Sequence, residues 1–148
     1  MAISYGFAGI TCTFSNPATG AVFSLVGNNA EDAFSITMAE DKNTMDGTAD
    51  GNVMHNLHMS NRGSFTAKFK KNSSVNALLS IQYNVQKQSP VLWGQNVITL
   101  NSSVGDEWVM TSCAFKRYPT DPYGKDGGDI TWEFDCGFVN GLLAASIL

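Results

Sequence analysis

The chain has 148 residues, of which 43% are hydrophobic and 15% are charged, and its formal net charge is −4 at pH 7. This length fits one domain over residues 1–148, long enough to bury a core. The low charge suits a β-rich protein, or a surface partly covered by other subunits, and composition favours neither over the other. Without a basic tail or an arginine-rich arm, tight binding to a nucleic-acid backbone is not indicated.

Alternating apolar and polar residues predict β-strands through the first part of the chain. We predict strands at Tyr5–Phe14, Val22–Val26 and Ala33–Met38, separated by Gly, Pro and Asn residues that favour turns. The segment 40–51 is acidic, contains glycine and has little apolar content, so it predicts a long loop. Long loops without structure of their own are usually functional or mobile.

Two further alternating segments surround a tight turn. Residues 53–59 and 65–70 flank Asn61, Arg62 and Gly63, and this arrangement predicts that the two segments pair as a β-hairpin. A nine-residue strand spans about 30 Å. Such a hairpin either crosses the core or projects to pair with a neighbour.

The one convincing helix covers about residues 74–87. Ser73 or Ser74 can cap its first turn, and Ser89-Pro90 ends it. Its apolar stripe has helical spacing and consists of Val75, Leu78, Leu79 and Tyr83. The chain is therefore predicted to be mainly β with one α-helix.

Three more strands are predicted, at 97–100, 108–115 and 130–136. In the last of them, Ile130, Trp132, Phe134 and Cys136 share one face, and Thr131, Glu133 and Asp135 share the other. An apolar tail follows at 141–148, which fills either the subunit's own core or a site on a neighbouring copy.

No residue pattern indicates catalysis or metal binding, so we expect a protein that is not an enzyme and that has no cofactor and no metal. His55 and His58 are three residues apart on a predicted strand, so they point to opposite faces and cannot hold one metal together. Cys12, Cys113 and Cys136 lie on apolar strands without close spacing, which predicts buried free thiols and a reducing compartment during folding.

The N-terminal residues lack the features of a signal peptide, and no apolar run approaches the length of a membrane span. We therefore expect synthesis in the cytoplasm and no membrane partner.

Charges of the two signs are separated along the sequence. Residues 1–60 contain six acids and one base, whereas residues 61–125 contain the other eight bases. Two interpretations are open. Patches of opposite charge dock copies head to tail, or segments that are distant in the sequence lie together in the fold, so that the folded subunit has no such patches.

The order of several segments resembles one protein family. These segments are the start at 4–7, the loop at 40–51, Arg62-Gly63-Ser64, the helix entry at 73–79 and the closing Trp132-Glu133-Phe134. In this order they resemble the tail tube proteins of contractile-tailed bacteriophages, whose fold is shared with tube proteins of bacterial contractile injection systems. The resemblance implies an antiparallel β-sandwich or small β-barrel with one flanking helix.

The resemblance also implies a function. Six copies would form a ring, and stacked rings would form the hollow inner tail tube through which double-stranded DNA leaves without specific binding. The implied partners are further copies of the chain and the tail sheath, tape measure, baseplate and tail terminator proteins. The expected location is the virion tail, after synthesis in the host bacterial cytoplasm.

The resemblance assigns roles to three groups of residues. The loop expected to reach the adjacent ring carries Glu40, Asp41, Lys42, Asp46 and Asp50. An acidic lining lets DNA slide, so the candidate lumen face is Asp129, Thr131, Glu133 and Asp135. Lysines on a lumen face would hold DNA back, so either the strand register differs by one residue or Lys68 and Lys70 make subunit contacts. The candidate subunit contacts are Arg62, Lys68, Lys70 and, from the apolar tail, Leu142 and Leu143.

Two alternatives remain at this point. The chain is the tube subunit of a phage-derived particle or secretion system, with the same fold and a different cargo, or it is a monomeric β-barrel that binds a small ligand.

Overall fold

The computed structural model describes residues 5–143, and its elements follow the chain in a simple order. A short 3₁₀-helix at Phe7–Gly9 precedes nine strands and one α-helix in this range. The elements are β1 (Thr11–Asn16), β2 (Ala21–Ser24), β3 (Asn29–Met38), β4 (Asn43–Gly47), β5 (Val53–Leu57), β6 (Gly63–Lys70), α1 (Val75–Gln86), β7 (Asn96–Asn101), β8 (Glu107–Phe115) and β9 (Asp129–Leu142).

Seven of the strands form one antiparallel sheet that curls into a half-barrel. Their order is β2-β1-β7-β8-β9-β6-β3, and β4 and β5 pair separately as a two-stranded sheet. The predicted fold class, mainly β with one flanking helix, is confirmed.

The concave face of the large sheet holds an aromatic core. Phe115 and Phe134 are opposite each other on β8 and β9, with ring centroids 4.9 Å apart. Phe14 from β1 and Phe65 from β6 lie 6.0 and 6.1 Å from Phe134. The inward face predicted for the last strand is confirmed, since Ile130, Trp132, Phe134 and Cys136 are all buried.

Helix α1 covers one part of this core at nearly the predicted position. Its N-cap residue is Ser74, which makes no side-chain capping hydrogen bond, while the preceding Ser73 Oγ accepts one from the Val75 N–H at 3.4 Å. Val75 and Leu79 of the predicted apolar stripe are buried, whereas Leu78 is exposed. The polar residue Gln86 is fully buried in the last turn. Helical periodicity did not predict that its side chain would face the core.

A buried cluster of side-chain amides joins α1 to the sheet. Asn96 Oδ1 accepts hydrogen bonds from Asn16 Nδ2 at 2.8 Å and from Gln86 Nε2 at 2.9 Å. Asn96 Nδ2 donates in return to Gln86 Oε1 at 3.1 Å. Asn16 Oδ1 accepts from the backbone N–H groups of Ala18 and Thr19, so the same cluster also fixes the β1–β2 turn.

Three predicted strand boundaries are wrong, and one of them is the start of the third strand, at Asn29 rather than Ala33. The first strand begins at Thr11 rather than Tyr5, because residues 7–9 form the 3₁₀-helix. The last strand continues past Cys136 to Leu142, because its second half pairs with β8.

The predicted hairpin between residues 53–59 and 65–70 is also wrong. Strand β5 pairs with β4, with Met45 opposite His55, while β6 lies between β3 and β9. The segment 40–51 therefore is not all loop, since it contains β4 and the turn that reverses the chain. Gly51 in that turn has φ +91°, a conformation that glycine adopts without strain.

The amide cluster gives the first prediction. Replacing Asn96 with Ala leaves groups of both Asn16 and Gln86 without their partners in a buried site. We expect the free energy of unfolding to fall by about 2–4 kcal/mol, measured by urea denaturation. Asn101→Ala, at the exposed end of the same strand, is the matched control and should change it by less than about 0.5 kcal/mol. Equal effects of the two substitutions would contradict the role assigned to the cluster.

Candidate assembly surfaces

The most unusual feature of the surface is the hairpin arm, residues 39–62, which contains β4 and β5. Every residue of β4 is exposed, and so are four of the five residues of β5. Each strand is about 17 Å long. Both faces of this small sheet therefore stand clear of the large sheet.

The base of the hairpin arm is held by polar contacts. The Ala39 N–H donates to the Arg62 carbonyl at 3.0 Å, and the Arg62 and Glu40 side chains form an ion pair. Lys42 Nζ donates to the carbonyl oxygens of His58 at 3.1 Å and Ser60 at 2.8 Å. These contacts join the two sides of the arm at its base.

One face of the hairpin arm, which we name the apolar face, carries exposed apolar side chains beside the polar side chains of Asn43 and His55. The register places Met45 opposite His55 and Gly47 opposite Val53, so Met45, Val53 and Leu57 lie on one side of the pair. Leu57 is 74% exposed, and Met59, which follows at the same alternation, is 80% exposed. A cluster of exposed apolar side chains of this kind is typical of an interaction surface.

The charged residues predicted to make inter-ring contacts mostly hold the arm itself. Asp46 Oδ2 accepts from Asn56 Nδ2 at 2.9 Å. At the tip, Asp50 accepts from the Thr48 hydroxyl and from Asn52 Nδ2, and the hydrogen bond from Thr48 lowers the pKa of Asp50. Asp41 is exposed. The apolar face was not predicted, because the sequence pairs 53–59 with 65–70 rather than with β4 and leaves open whether that hairpin crosses the core or projects.

The two histidines lie on opposite faces of the arm. His55 Nδ1 is 3.2 Å from Asn43 Nδ2, while His58 Nε2 is 3.2 Å from Thr44 Oγ1 on the other side. Within residues 5–143, no three His, Cys, Asp or Glu side chains are grouped so that they could hold a metal ion.

The convex side of the large sheet is a second surface, which we name the polar face. It includes the alternate residues Asp129, Thr131, Glu133 and Asp135 of β9, predicted as the lumen face, which share one side of the strand. Their partners across the strand pair are Lys70, Lys68, Thr66 and Ser64 of β6. The sequence assigned these lysines and acids to different surfaces, but cross-strand partners point to the same side, so they share one.

Charges of opposite sign are paired across the polar face. Lys70 Nζ lies 3.0 Å from Asp129, and Lys68 Nζ lies 2.5 Å from Asp32 on β3. Arg117 and Lys116 lie 3.5 and 3.9 Å from Glu133. Segments with opposite charge in the sequence therefore meet within one subunit.

The end of β9 is a third surface. Strand β6 begins at Gly63, opposite Cys136, so residues 138–142 pair as a strand with β8, and on their other side the Val139 N–H donates to the Asn61 carbonyl at 2.9 Å. Leu142 and Leu143 are 56% and 68% exposed, which shows that they do not fill the core of their own subunit. Residues 144–148 of the apolar tail, and Ser4 of the N-terminal start, lie outside the described residues.

The large sheet also has two edges. Strands β2 and β3 are the first and last in its order, so each has a neighbour on one side only among the described residues. Sheet edges present unpaired backbone groups that can pair with another chain.

The chain matches a protein-family model over nearly its whole length. The family model described as the bacteriophage PhiTE tail tube protein matches residues 1–144. The chain belongs to this family of phage tail tube proteins. Membership makes it a structural tube subunit rather than an enzyme, and the family's place is the tail of the virion. No curated protein sequence matches the chain.

Solved structures with the same fold come from contractile injection systems. A chain in the anti-feeding prophage baseplate is 14% identical, with a TM-score of 0.61, covering 98% of this chain and 97% of that one. A chain in the sheath–tube complex of the extracellular contractile injection system PVC is 10% identical, with a TM-score of 0.60, covering 96% and 93%. A chain in the anti-feeding prophage cap is 11% identical, with a TM-score of 0.59, covering 96% and 94%.

Over residues 5–143, no helix has the length and apolar character needed to cross a membrane.

The end of β9 gives the second prediction. We expect Leu142→Asp to change the free energy of unfolding of the subunit by less than about 0.5 kcal/mol, because the side chain is exposed. Val139→Asp on the same strand should reduce it by about 3 kcal/mol, because Val139 is buried. Urea denaturation measures both. A large loss for Leu142→Asp would mean that this residue supports its own core.

The polar face gives the third prediction. The hydrogen bond from Lys68 lowers the pKa of Asp32. The pair therefore stabilises the fold above the ordinary pKa of aspartate, and its contribution is lost as the pH falls through the lowered value. In an NMR titration, Lys68→Ala should raise the pKa of Asp32 toward its ordinary value, and Lys87→Ala should leave it unchanged. An unchanged pKa in Lys68→Ala would show that the pair does not form in solution.

Proposed function

We propose that the chain assembles into six-membered rings that stack into the hollow inner tube of a phage tail, the conduit for DNA during ejection. The observation that carries this proposal is the hairpin arm, which exposes an apolar face in a chain of the tail tube family. One similar solved structure, the anti-feeding prophage baseplate, is six-fold symmetrised, which supports the proposed ring size.

Neighbouring subunits in the ring are proposed to join through the edges of their large sheets. Strands β2 and β3 supply one edge each. Pairing the edges of adjacent copies satisfies backbone groups that would otherwise invite uncontrolled aggregation. Closure of the ring then gives one continuous barrel without edges.

The hairpin arm is proposed to cover its apolar face on a subunit of the adjacent ring. Burial of side chains such as Leu57 and Met45 would drive this contact, since each buried aliphatic side chain contributes about 1.5–3 kcal/mol. Glu40, Lys42, Asp46 and Asp50 keep the arm in shape, through the hydrogen bonds and ion pairs described above. Leu142 and Leu143 are proposed as a further subunit contact, because both are exposed in the single subunit.

The polar face is proposed to line the lumen. Asp129, Thr131, Glu133 and Asp135 would share this lining with Lys68 and Lys70, so these lysines are no longer proposed as subunit contacts, whereas Arg62 at the base of the arm is. Paired charges leave little net attraction for a polyanion. DNA would therefore pass without being held at any one position.

The proposed partners follow from the same assembly. They are the tail sheath outside the tube, the tape measure protein inside it, and the baseplate and tail terminator at its ends. Similar solved structures include a sheath–tube complex, a baseplate and a sheath/tube terminator of contractile systems, which supports this set. Synthesis is proposed in the host cytoplasm.

A second candidate function is the tube of a phage-derived injection system that carries a cargo other than DNA. It is favoured by the fold shared with the anti-feeding prophage and PVC structures. Purified particles that contain this chain distinguish the two functions. Nuclease-protected DNA in a capsid attached to the tail indicates a phage, and tailed particles without DNA indicate the injection system.

The hairpin arm gives the fourth prediction. Leu57→Asp places a charge in the proposed contact, so we expect a folded subunit that no longer forms tubes. Val91→Asp, at an exposed apolar residue in the turn after α1, is the matched control and should assemble like the parent protein. Negative-stain electron microscopy over a series of protein concentrations measures assembly, and circular dichroism checks folding.

The electron microscopy results separate the role of the arm from the tube function. Tubes from the parent protein and from Val91→Asp, but not from folded Leu57→Asp, support the role of the arm. Full-length tubes from Leu57→Asp would refute that role and leave the tube function in place. A parent protein that stays monomeric even when baseplate and sheath are supplied would refute the tube function itself.

A further inference from the structure

Two of the three cysteines lie directly opposite each other in the sheet. Cys113 on β8 and Cys136 on β9 are partners in the antiparallel register, both are buried, and their Sγ atoms are 3.2 Å apart. Residues opposite each other in antiparallel strands have Cα atoms about 4.5–5.5 Å apart, which lies within the range that a disulfide can bridge.

We propose that Cys113 and Cys136 form a site of reversible oxidation, at which a peroxide converts the two thiols to a disulfide that joins β8 to β9. The two Sγ atoms need to move roughly 1.1 Å closer to reach the S–S bond length of about 2.05 Å. Side-chain rotation can supply much of this movement, because the backbones are already paired at these residues.

The reaction balances with one peroxide. The Cys136 thiolate attacks a peroxide oxygen, the O–O bond breaks, and the leaving hydroxide takes a proton to become water. The sulfur of Cys113 then attacks the sulfenic acid sulfur, the S–O bond breaks and a second water leaves. Two thiols are oxidised to one disulfide, and one peroxide is reduced to two waters.

The hydrogen bond between the thiols assigns the two roles. Cys113 Sγ–H donates to Cys136 Sγ, and this hydrogen bond lowers the pKa of Cys136 and raises that of Cys113. Cys136 is therefore the thiol that reacts with the peroxide, and Cys113 is the one that completes the bond.

The position of the pair explains what a disulfide would do. Strand β6 begins opposite Cys136, and beyond this residue β9 pairs as a strand with β8, with one further backbone hydrogen bond from Val139 to Asn61 on the other side. Next to Cys113, Ser112 has φ +53°, and the register between β7 and β8 shifts. A disulfide would therefore fasten β9 to β8 at the residue where the strand pairing of β9 with β6 ends.

Cys12 is a built-in control for this chemistry. It is also buried, but it lies on β1, which is separated from β8 by β7. Burial raises the pKa of Cys12 to about 12, which disfavours its thiolate. It should therefore stay reduced when the other two thiols react.

The test uses the full chain in its folded state. The reduced protein is exposed to hydrogen peroxide, then unfolded and alkylated, and its disulfides are mapped by peptide mass spectrometry. We expect two of the three thiols to be lost to alkylation, a Cys113–Cys136 peptide pair lighter by two hydrogen atoms, and Cys12 fully alkylated. Reduction with dithiothreitol should restore all three thiols.

Two variants complete the test. Cys12→Ala should form the same disulfide, whereas Cys113→Ser should form none within the chain and leave Cys136 in a higher oxidation state. The proposal is overturned if all three thiols of the parent protein stay alkylatable, if the disulfide includes Cys12, or if only disulfides between chains form. These readouts do not depend on tube assembly, so they are independent of the proposed function.

Discussion

The contact between Phe115 and Phe134 across β8 and β9 is the point on which the rest of the sheet depends. Phe14 and Phe65 join it from β1 and β6, so four strands bury aromatic rings against one another. Because successive residues of a strand point to opposite sides, placing these rings inside determines which residues face outward. The polar face is therefore a direct consequence of how the core packs.

Local patterns predicted the elements whose periodicity is strong. The helix at 75–86 and the inward face of β9 follow from spacing within one segment, and both were predicted. The partner of β5 depends on contacts between distant segments, and its alternating sequence fits a hairpin with β6 as well as with β4. The sequence alone therefore could not decide this pairing.

The candidate site was predictable only where a feature depends on one segment of the chain. That Asp129, Glu133 and Asp135 share a face follows from alternation within one strand. That Lys70 lies beside Asp129 follows from the register between two strands, which local sequence does not contain. The buried amide cluster was also beyond prediction, because it joins Asn16, Gln86 and Asn96 from three separate elements.

The hairpin arm has a consequence for the timing of assembly. A two-stranded hairpin alone in water is only marginally stable, so the arm gains little order from its own subunit. On the proposed assembly, ordering the arm costs a free subunit conformational entropy before any contact with a neighbour offsets that cost. The first contact between two free copies is then unfavourable, whereas a completed ring offers several ordered sites at once. Growth from a template would outpace spontaneous nucleation, which keeps free subunits soluble until a tube has been started.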